Sequence, residues 1–152
     1  METMVWRGLD EPRMEIAYVE LVAGGLRAAG TQIGAGYELR YELEPELLRA
    51  EIVGGRRRDI PLKGVDFFDL ALSPLLNSLP VLRDGLLEAG PPRDYTMAFV
   101  DVPSLDVEPA PQRYEPLGDG KVRFRSDDFV ALLQFDGEGF VETYEGLAER
   151  VR

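Results

Sequence analysis

The feature of this chain that most restricts its fold is a two-residue alternation of apolar and charged side chains. From Tyr37 to Glu44 every odd position is apolar or aromatic and every even position is charged. Successive side chains of a β-strand point to opposite faces, so this alternation predicts a strand with one buried face. Met14–Val22 and Leu48–Val53 show the same tendency less cleanly and are also predicted strands.

Glycine clusters separate these strands at Gly24-Gly25, Gly34-Ala35-Gly36 and Gly54-Gly55. Tight hairpins need residues that tolerate positive φ, so the first 62 residues are predicted to form an antiparallel meander. Asp119-Gly120 and residues 136–139 supply similar turns in the C-terminal part. The predicted fold is all-β and mainly antiparallel. Its C-terminal strands are Tyr95–Val102, Gln112–Leu117, Lys121–Ser126, Phe129–Phe135 and Phe140–Tyr144.

The length of 152 residues predicts a single domain, 1–152. We divide it into N-terminal hairpins (1–62), an apolar crossover (63–94) and C-terminal hairpins (95–146). Pro74 and Pro80 exclude a long helix or a central strand from the crossover, so we expect an irregular path with at most short helical turns in 65–90 and at the C-terminus. Large exposed apolar patches are uncommon, and this segment should therefore be a core plug or the lid of a cavity.

Phe129–Leu133 is apolar on both alternating faces. This predicts a strand covered on both sides, one cover being protein and the other a ligand. A central strand of an ordinary sandwich, or one covered by a loop, gives the same pattern.

The charge balance limits the partners. With 28 acidic and 17 basic residues, the formal charge of −11 argues against nucleic acid and anionic membranes. No segment approaches the roughly 20 apolar residues of a membrane-spanning helix, and the first residues lack a signal peptide's pattern. We expect no integral membrane association and a cytoplasmic location.

The chain has no cysteine and no histidine. Thiolate nucleophiles, zinc sites of the usual kinds and Ser-His-Asp arrangements are therefore excluded. We predict no metal, no cofactor and no catalytic residue, and the missing histidine weighs against an enzyme without excluding carboxylate, lysine, tyrosine or magnesium chemistry.

Polar candidates for a ligand site lie in two segments. Asn77 could present an amide to a ligand, or it could satisfy local backbone groups beside Pro80. Gln112 and Tyr114 should share one strand face, with Arg113 on the other, and Tyr114 could equally be a structural anchor.

Two charged groups have simpler interpretations. Arg56-Arg57-Arg58 could hold an anion, but a charge run beside a hairpin is usually solvated edge protection. Asp66 and Asp69 flank two phenylalanines and could form an acid pair or bind magnesium, although close acidic pairs are expected by chance in so acidic a chain.

Several segments together resemble the bacterial putative glycolipid-binding family. Ser73–Arg83 is similar to that family's Thr-Pro-x-x-Asn-Thr-Leu-Pro-Ile-Arg-Arg signature. Further similarities follow in the same order along the chain, at Val5-Trp6-Arg7, Tyr37–Leu43, Val102-Pro103, Gln112-Arg113-Tyr114 and Phe135–Leu147. The chain departs from the family in having Leu82 before Arg83, where the family has two arginines, and in lacking a tryptophan near Leu47-Leu48-Arg49.

The resemblance implies a curled sheet of repeated hairpins, of the spiral β-roll kind, and a glycolipid or related lipid as ligand. We therefore expect a non-catalytic binding protein for an amphipathic small molecule. Its apolar part would contact aromatic and leucine side chains, and its head group would contact Asn77, Arg83 or Gln112, with Tyr114 beside them. The apolar candidates are Trp6, Tyr41, Phe67, Phe68, Leu75, Leu76 and Leu79.

Two alternatives remain open. One is a carboxylate-dependent hydrolase or transferase acting on a sugar or lipid head group, with Asp66, Asp69 or another carboxylate as base. The other is a structural or interaction protein without a ligand. The sequence does not indicate an oligomeric state.

Overall fold

A computed structural model describes residues 1–152. Thirteen strands account for most of the chain, and a 3-10 helix (Pro74–Asn77) continues directly into one α-helix, α1 (Ser78–Asp84). Neither helix is long and apolar enough to cross a membrane. The strands are β1 (Glu2–Gly8), β2 (Met14–Val22), β3 (Gly25–Gly34), β4 (Tyr37–Glu44), β5 (Leu47–Ile52), β6 (Arg57–Pro61), β7 (Phe67–Leu70), β8 (Arg93–Val100), β9 (Val107–Gly118), β10 (Lys121–Ser126), β11 (Phe129–Phe135), β12 (Val141–Tyr144) and β13 (Ala148–Arg150).

All thirteen strands belong to one curled sheet, in the order β6-β5-β4-β3-β2-β1-β13-β12-β11-β10-β9-β8-β7. Every neighbouring pair is antiparallel except β7 and β8. Pairing of β1 with β13, with Trp6 opposite Arg150, joins the two ends of the chain. The predicted all-β, mainly antiparallel class is confirmed. We call β1–β6 the N-terminal half and β7–β13 the C-terminal half.

The alternation in β4 produces the predicted strand. Leu39, Tyr41 and Leu43 are buried, whereas the charged residues between them are exposed. Gly36 (φ +84°) and Gly54 (φ +76°) occupy the hairpin turns on either side of β4 and β5, in the left-handed region that glycine adopts most readily.

Two hydrophobic cores lie on the inner face of the sheet. The N-terminal core contains 20 buried residues and includes Trp6, Tyr41 and Phe68. The C-terminal core contains 13, among them Tyr114 and Phe124, whose rings meet edge to face with centroids 5.4 Å apart. Edge-to-face pairs add roughly 0.5–1.5 kcal/mol beyond the burial of area.

The crossover packs between these two cores. Leu75 and Leu76 are buried in the N-terminal core, whereas Val81 belongs to the C-terminal core. Pro80 lies in the first turn of α1, where a missing N–H is tolerated, and Gly85 ends the helix at φ +65°. The short helical segments agree with the prediction.

One element of the crossover was not predicted. Phe67–Leu70 forms strand β7, which pairs in parallel with β8, Asp69 lying opposite Phe99. All four residues of β7 are buried, so the segment shows no two-residue alternation. Periodicity alone does not distinguish such a strand from other buried segments.

The prediction that Phe129–Leu133 is covered on both faces is wrong. Ala131 and Leu133 are buried, but Val130 is 43% exposed and Leu132 37% exposed on the outer face of β11. The outer face of β11 is therefore not covered by another part of the chain.

Candidate functional site

A cleft of about 450 Å³ opens in the C-terminal half. Four buried polar residues line it. Ser73 donates to Glu15, and we call the other three the floor of the cleft: Asp69 from β7, Asn77 from the 3-10 helix and Gln112 from β9. Its walls include aromatic and leucine side chains. They are Leu70, Leu72, Phe99, Phe124, Phe129, Tyr144 and Leu147. An apolar lining with a few buried polar groups is typical of small-molecule sites of this size.

A larger surface concavity, of about 620 Å³, lies on the outer face of the N-terminal half. Exposed charged residues of β4 and β5, including Arg40, Glu42 and Arg49, contribute much of its lining. It contains no buried polar side chain without a partner, so the cleft is the better candidate despite its smaller volume.

Asp69 and Gln112 meet on the inner face of the curled sheet. The Nε2 group of Gln112 donates to Oδ2 of Asp69 at 2.7 Å. Burial raises the pKa of Asp69 to about 6, against the opposing effects of this hydrogen bond and of the Leu70 backbone N–H. No cationic side chain pairs with Asp69, so its charge is compensated by dipoles alone.

The other polar atom of the Gln112 side chain is unpaired. Its Oε1 is buried and accepts no hydrogen bond. Leaving a buried acceptor unsatisfied costs about 1–3 kcal/mol, and such atoms are rare in folded proteins. Because Gln112 lines the cleft, a ligand donor could satisfy this oxygen.

Asn77 is held beside this pair by Tyr114. Its Nδ2 donates to the Tyr114 hydroxyl at 3.0 Å, and both residues are buried. The pKa of Tyr114 is raised well above its ordinary value, by burial first and then by the nearby charge of Asp69. Tyr114 is thus a structural anchor for the Asn77 side chain.

The cleft is acidic. Besides Asp69, its lining includes Glu108 and Asp127 but no lysine or arginine. No group of three or more carboxylates is arranged to hold a metal ion. Leu72, which follows β7 at the edge of the cleft, has φ +66°, a strained conformation for leucine.

The structure brings only some of the predicted site residues together. Asn77 and Gln112 line the cleft, and Tyr114 contacts Asn77. Gln112 and Tyr114 share the inner face of β9, as alternation predicts, while Arg113 is exposed on the other face.

The other predicted site residues lie outside the cleft. Trp6 is in the N-terminal core and donates from Nε1 to the Val141 carbonyl at 2.8 Å. Tyr41 and Phe68 are in the same core. The Arg83 guanidinium lies 4.4 Å from the centre of the Phe67 ring and pairs with Asp84, so neither Arg83 nor Phe67 faces the cleft.

The remaining charged candidates have structural contacts. Asp66 accepts a hydrogen bond from the Thr96 backbone at 2.8 Å and lines no part of the cleft, so it forms no acid pair there with Asp69. Arg56 pairs with Asp106 at 2.9 Å, and Arg58 donates to the Leu105 carbonyl, so both tie the edge strand β6 to the loop after β8.

A second buried carboxylate, Glu15 of β2, belongs to the N-terminal half. It accepts hydrogen bonds from Gln32 (3.1 Å), Tyr41 (2.8 Å) and Ser73 (2.7 Å). Burial raises the pKa of Glu15, and these three bonds oppose the rise. We call Glu15 and its three partners the Glu15 network; no side-chain atom in it is unsatisfied.

The sequence interpretation missed the pairing of Asp69 with Gln112 and the aromatic wall formed by Phe124, Phe129 and Tyr144. One signal was present, since Asp69 interrupts the apolar run Phe67–Leu72. An acidic residue in a wholly buried segment is uncommon unless it is paired or functional.

Comparisons with known proteins give two matches. The sequence model of a family described as putative glycolipid-binding matches residues 52–150. A crystal structure of a DUF1089 family protein from Pseudomonas aeruginosa has a similar fold, with a TM-score of 0.70, 20% sequence identity and coverage of 93% of each chain. No curated protein matches this chain.

Proposed function

This chain belongs to the putative glycolipid-binding family, and on that premise we propose that it binds the polar head of an amphipathic small molecule, a glycolipid or related lipid, in the cleft of its C-terminal half. The head group would lie on the floor formed by Asp69, Asn77 and Gln112. The protein would act as a binding protein rather than as an enzyme.

The unsatisfied Oε1 of Gln112 is the observation that carries this proposal. An unpaired buried acceptor destabilises the folded protein by about 1–3 kcal/mol, so it is unexpected at a residue that only fills the core. A sugar hydroxyl would remove the penalty by donating to this oxygen. Hydroxyl groups also suit the neighbouring Asp69 carboxylate, which accepts hydrogen bonds readily.

The walls of the cleft fit the rest of an amphipathic molecule. Phe124 is buried against Tyr144, whereas Phe129 is 50% exposed at the mouth. An aromatic wall can pack against the apolar face of a sugar ring and then against the first carbons of an alkyl chain. The N-terminal core, by contrast, is filled by its own side chains, including Trp6 and Leu75.

Native mass spectrometry of freshly purified protein tests for a bound ligand, and titration calorimetry with octyl glucoside below its micellar concentration tests the site. We expect octyl glucoside to bind, and Gln112→Met to weaken binding about tenfold because methionine keeps the shape but offers no acceptor to the hydroxyl. Far-UV circular dichroism establishes that the variant is folded.

The matched control is Arg113→Gln, which changes the next residue of β9 on the opposite, exposed face. It should bind octyl glucoside like the unmodified protein. If neither a copurified adduct nor any binding of octyl glucoside is detected, the proposal fails, and an interaction protein without a ligand becomes the better hypothesis.

A carboxylate-dependent hydrolase is a second candidate, favoured by the position of Asp69 in an open cleft with its pKa raised to about 6. General acids of glycosidases have raised pKa values of this kind. This hypothesis predicts turnover of nitrophenyl glycosides that Asp69→Asn abolishes. Absence of turnover with the common hexosides, alongside binding of octyl glucoside, would favour the binding protein.

A further inference from the structure

Two neighbouring acceptors on the floor of the cleft belong to Asp69 and Gln112. Each amide nitrogen on the floor donates one hydrogen bond inside the protein, Gln112 Nε2 to Asp69 and Asn77 Nδ2 to Tyr114. The Asp69 carboxylate thus lies next to the Gln112 side chain, whose Oε1 is buried and unpaired. The ligand group that complements these two acceptors is a hydrogen-bond donor.

The charges that surround the floor have one sign. Glu108 and Asp127 line the cleft with Asp69, and no lysine or arginine does. Of the tyrosines near Asp69, Tyr114 comes from β9 and Tyr144 from β12, and both have their pKa raised further by the charge of Asp69. Neither supplies positive charge. A phosphate, sulfate or carboxylate would meet uncompensated repulsion here.

Resting on the proposed function, we propose that the head group carries a primary ammonium that binds between the Asp69 carboxylate and the Gln112 Oε1. An ammonium has three donors and no acceptor, which matches the adjacent acceptors of Asp69 and Gln112. It would also supply the cation that Asp69 lacks, and charge-assisted hydrogen bonds are roughly twice as strong as neutral ones. Asp69 is then the residue that determines specificity for the head group.

The same ammonium could belong to an amino sugar or to a simple lipid amine. Four ligands of equal alkyl length separate these sources and the charge effect, and they are octyl glucosaminide, octyl glucoside, octyl glucuronide and octylamine. At about pH 7 we expect the glucosaminide to bind about tenfold more tightly than the glucoside and the glucuronide to bind weakest. Comparable binding of octylamine would assign the recognition to the ammonium alone, and weaker binding would assign it to an amino sugar; either result supports the proposal.

Asp69→Asn should abolish the preference for the glucosaminide over the glucoside, because an asparagine still accepts hydrogen bonds but carries no charge. Glu142→Gln is the matched control, since it removes one negative charge from an exposed position of β12 outside the cleft. It should leave the preference unchanged.

A measurement on the unmodified protein guards against a misfolded variant. Near pH 6 Asp69 is partly protonated, and an adjacent ammonium would displace that proton. Calorimetry in two buffers of different ionisation enthalpy should therefore detect net proton release with the glucosaminide and none with the glucoside.

Three results would overturn this inference. They are equal affinity for glucosaminide, glucoside and glucuronide, a preference that survives in Asp69→Asn, and binding of the glucosaminide without proton release. Each leaves the proposed function intact if octyl glucoside binds. Absence of binding by all four ligands would instead overturn the proposed function and this inference together.

Discussion

The two halves of the sheet each bury one carboxylate, and the two carboxylates differ in the number of side-chain hydrogen bonds that they accept. Glu15 in the N-terminal half accepts three side-chain hydrogen bonds, whereas Asp69 in the C-terminal half accepts one, from Gln112. Burial raises the pKa of both groups. Glu15 itself lines neither the cleft nor the outer concavity, whereas Asp69 lines the open cleft.

This difference separates a structural polar group from a binding group. A buried network whose members are all satisfied fixes the elements that it connects, whereas a partly satisfied one is costly unless something else completes it. Glu15 connects β2 to β3, β4 and the segment after β7. Asp69 and Gln112 leave acceptors for a ligand.

The Glu15 network also fixes the position of the chain at the edge of the cleft. Ser73 donates to Glu15, and Gln32 Nε2 lies 3.3 Å from the Ala71 carbonyl that accepts its hydrogen bond. These contacts hold both sides of Leu72, the strained residue at the edge of the cleft. The strain is maintained because the Glu15 network fixes the chain on either side.

Removing the Glu15 carboxylate should have the largest effect on stability. Glu15→Ala leaves the donors of Gln32, Tyr41 and Ser73 without their acceptor, so we expect the free energy of unfolding to fall by about 3–5 kcal/mol in urea denaturation. Glu15→Gln keeps the shape and one acceptor oxygen and should lose less. Equal loss in the two variants would show that the three donors are not what Glu15 stabilises.

Removing the charge of the open carboxylate should act in the opposite direction at neutral pH. Because the pKa of Asp69 is raised from 3.8 to about 6, the folded protein binds more protons than the unfolded chain between these values, and stability falls as the pH rises through them. The contribution of Asp69 to this fall is about 3 kcal/mol at about 1.4 kcal/mol per pKa unit.

Asp69→Asn should lack that part of the pH dependence. Urea denaturation of both proteins at about pH 4 and about pH 7 measures it, and the contribution of Glu15 cancels because both proteins contain Glu15. Identical changes of stability with pH in the two proteins would show that Asp69 is not held in a destabilising environment.

The Glu15 network can also be broken from its other side. A Cβ at Gly30 would lie 2.3 Å from the ring carbon that bears the hydroxyl of Tyr41, so Gly30→Ala must displace the ring that donates to Glu15. We expect a loss of about 1–3 kcal/mol in thermal or urea unfolding. Gly137→Ala, at a position with open space and no positive φ, is the control and should change stability little.

The smallest expected effect concerns the support of the open site. Tyr114→Phe removes the hydroxyl that accepts from Asn77 and should cost about 1 kcal/mol. A double-mutant cycle with Asn77→Ala measures the coupling between the two residues. If the coupling is zero, Asn77 is not held by Tyr114, and the floor of the cleft is less rigid than the structure indicates.

The repeating parts of the fold followed from the sequence. Alternation and glycine turns located β4, β5, β10 and β11 because each is a local property of a strand with one buried face. Strand β7 was not predicted because its four residues are all buried and show no alternation. For the site, Asn77, Gln112, Tyr114 and Asp69 were all candidates from the sequence, but the contacts of Asn77 with Tyr114 and of Gln112 with Asp69 were not predicted.

Trp6, Tyr41 and Phe68 illustrate the limit of composition as a guide to a site. Large aromatic residues fill a core and line a cleft equally well, and nothing local distinguishes the two. These three fill the N-terminal core, while Phe124 and Tyr144, which carry no distinguishing sequence signal, form the wall of the cleft with Phe129.

By itself, then, the sequence determined that this chain forms an antiparallel sheet of hairpins, because strand periodicity and turn chemistry act over a few neighbouring residues. Only the tertiary structure decided that Glu15 is enclosed by its hydrogen-bond partners and that Asp69 lines the cleft. Glu15 meets Ser73 and Asp69 meets Gln112 across 58 and 43 positions of sequence. Such pairings depend on how the whole sheet curls, and the curl cannot be predicted from a local sequence pattern.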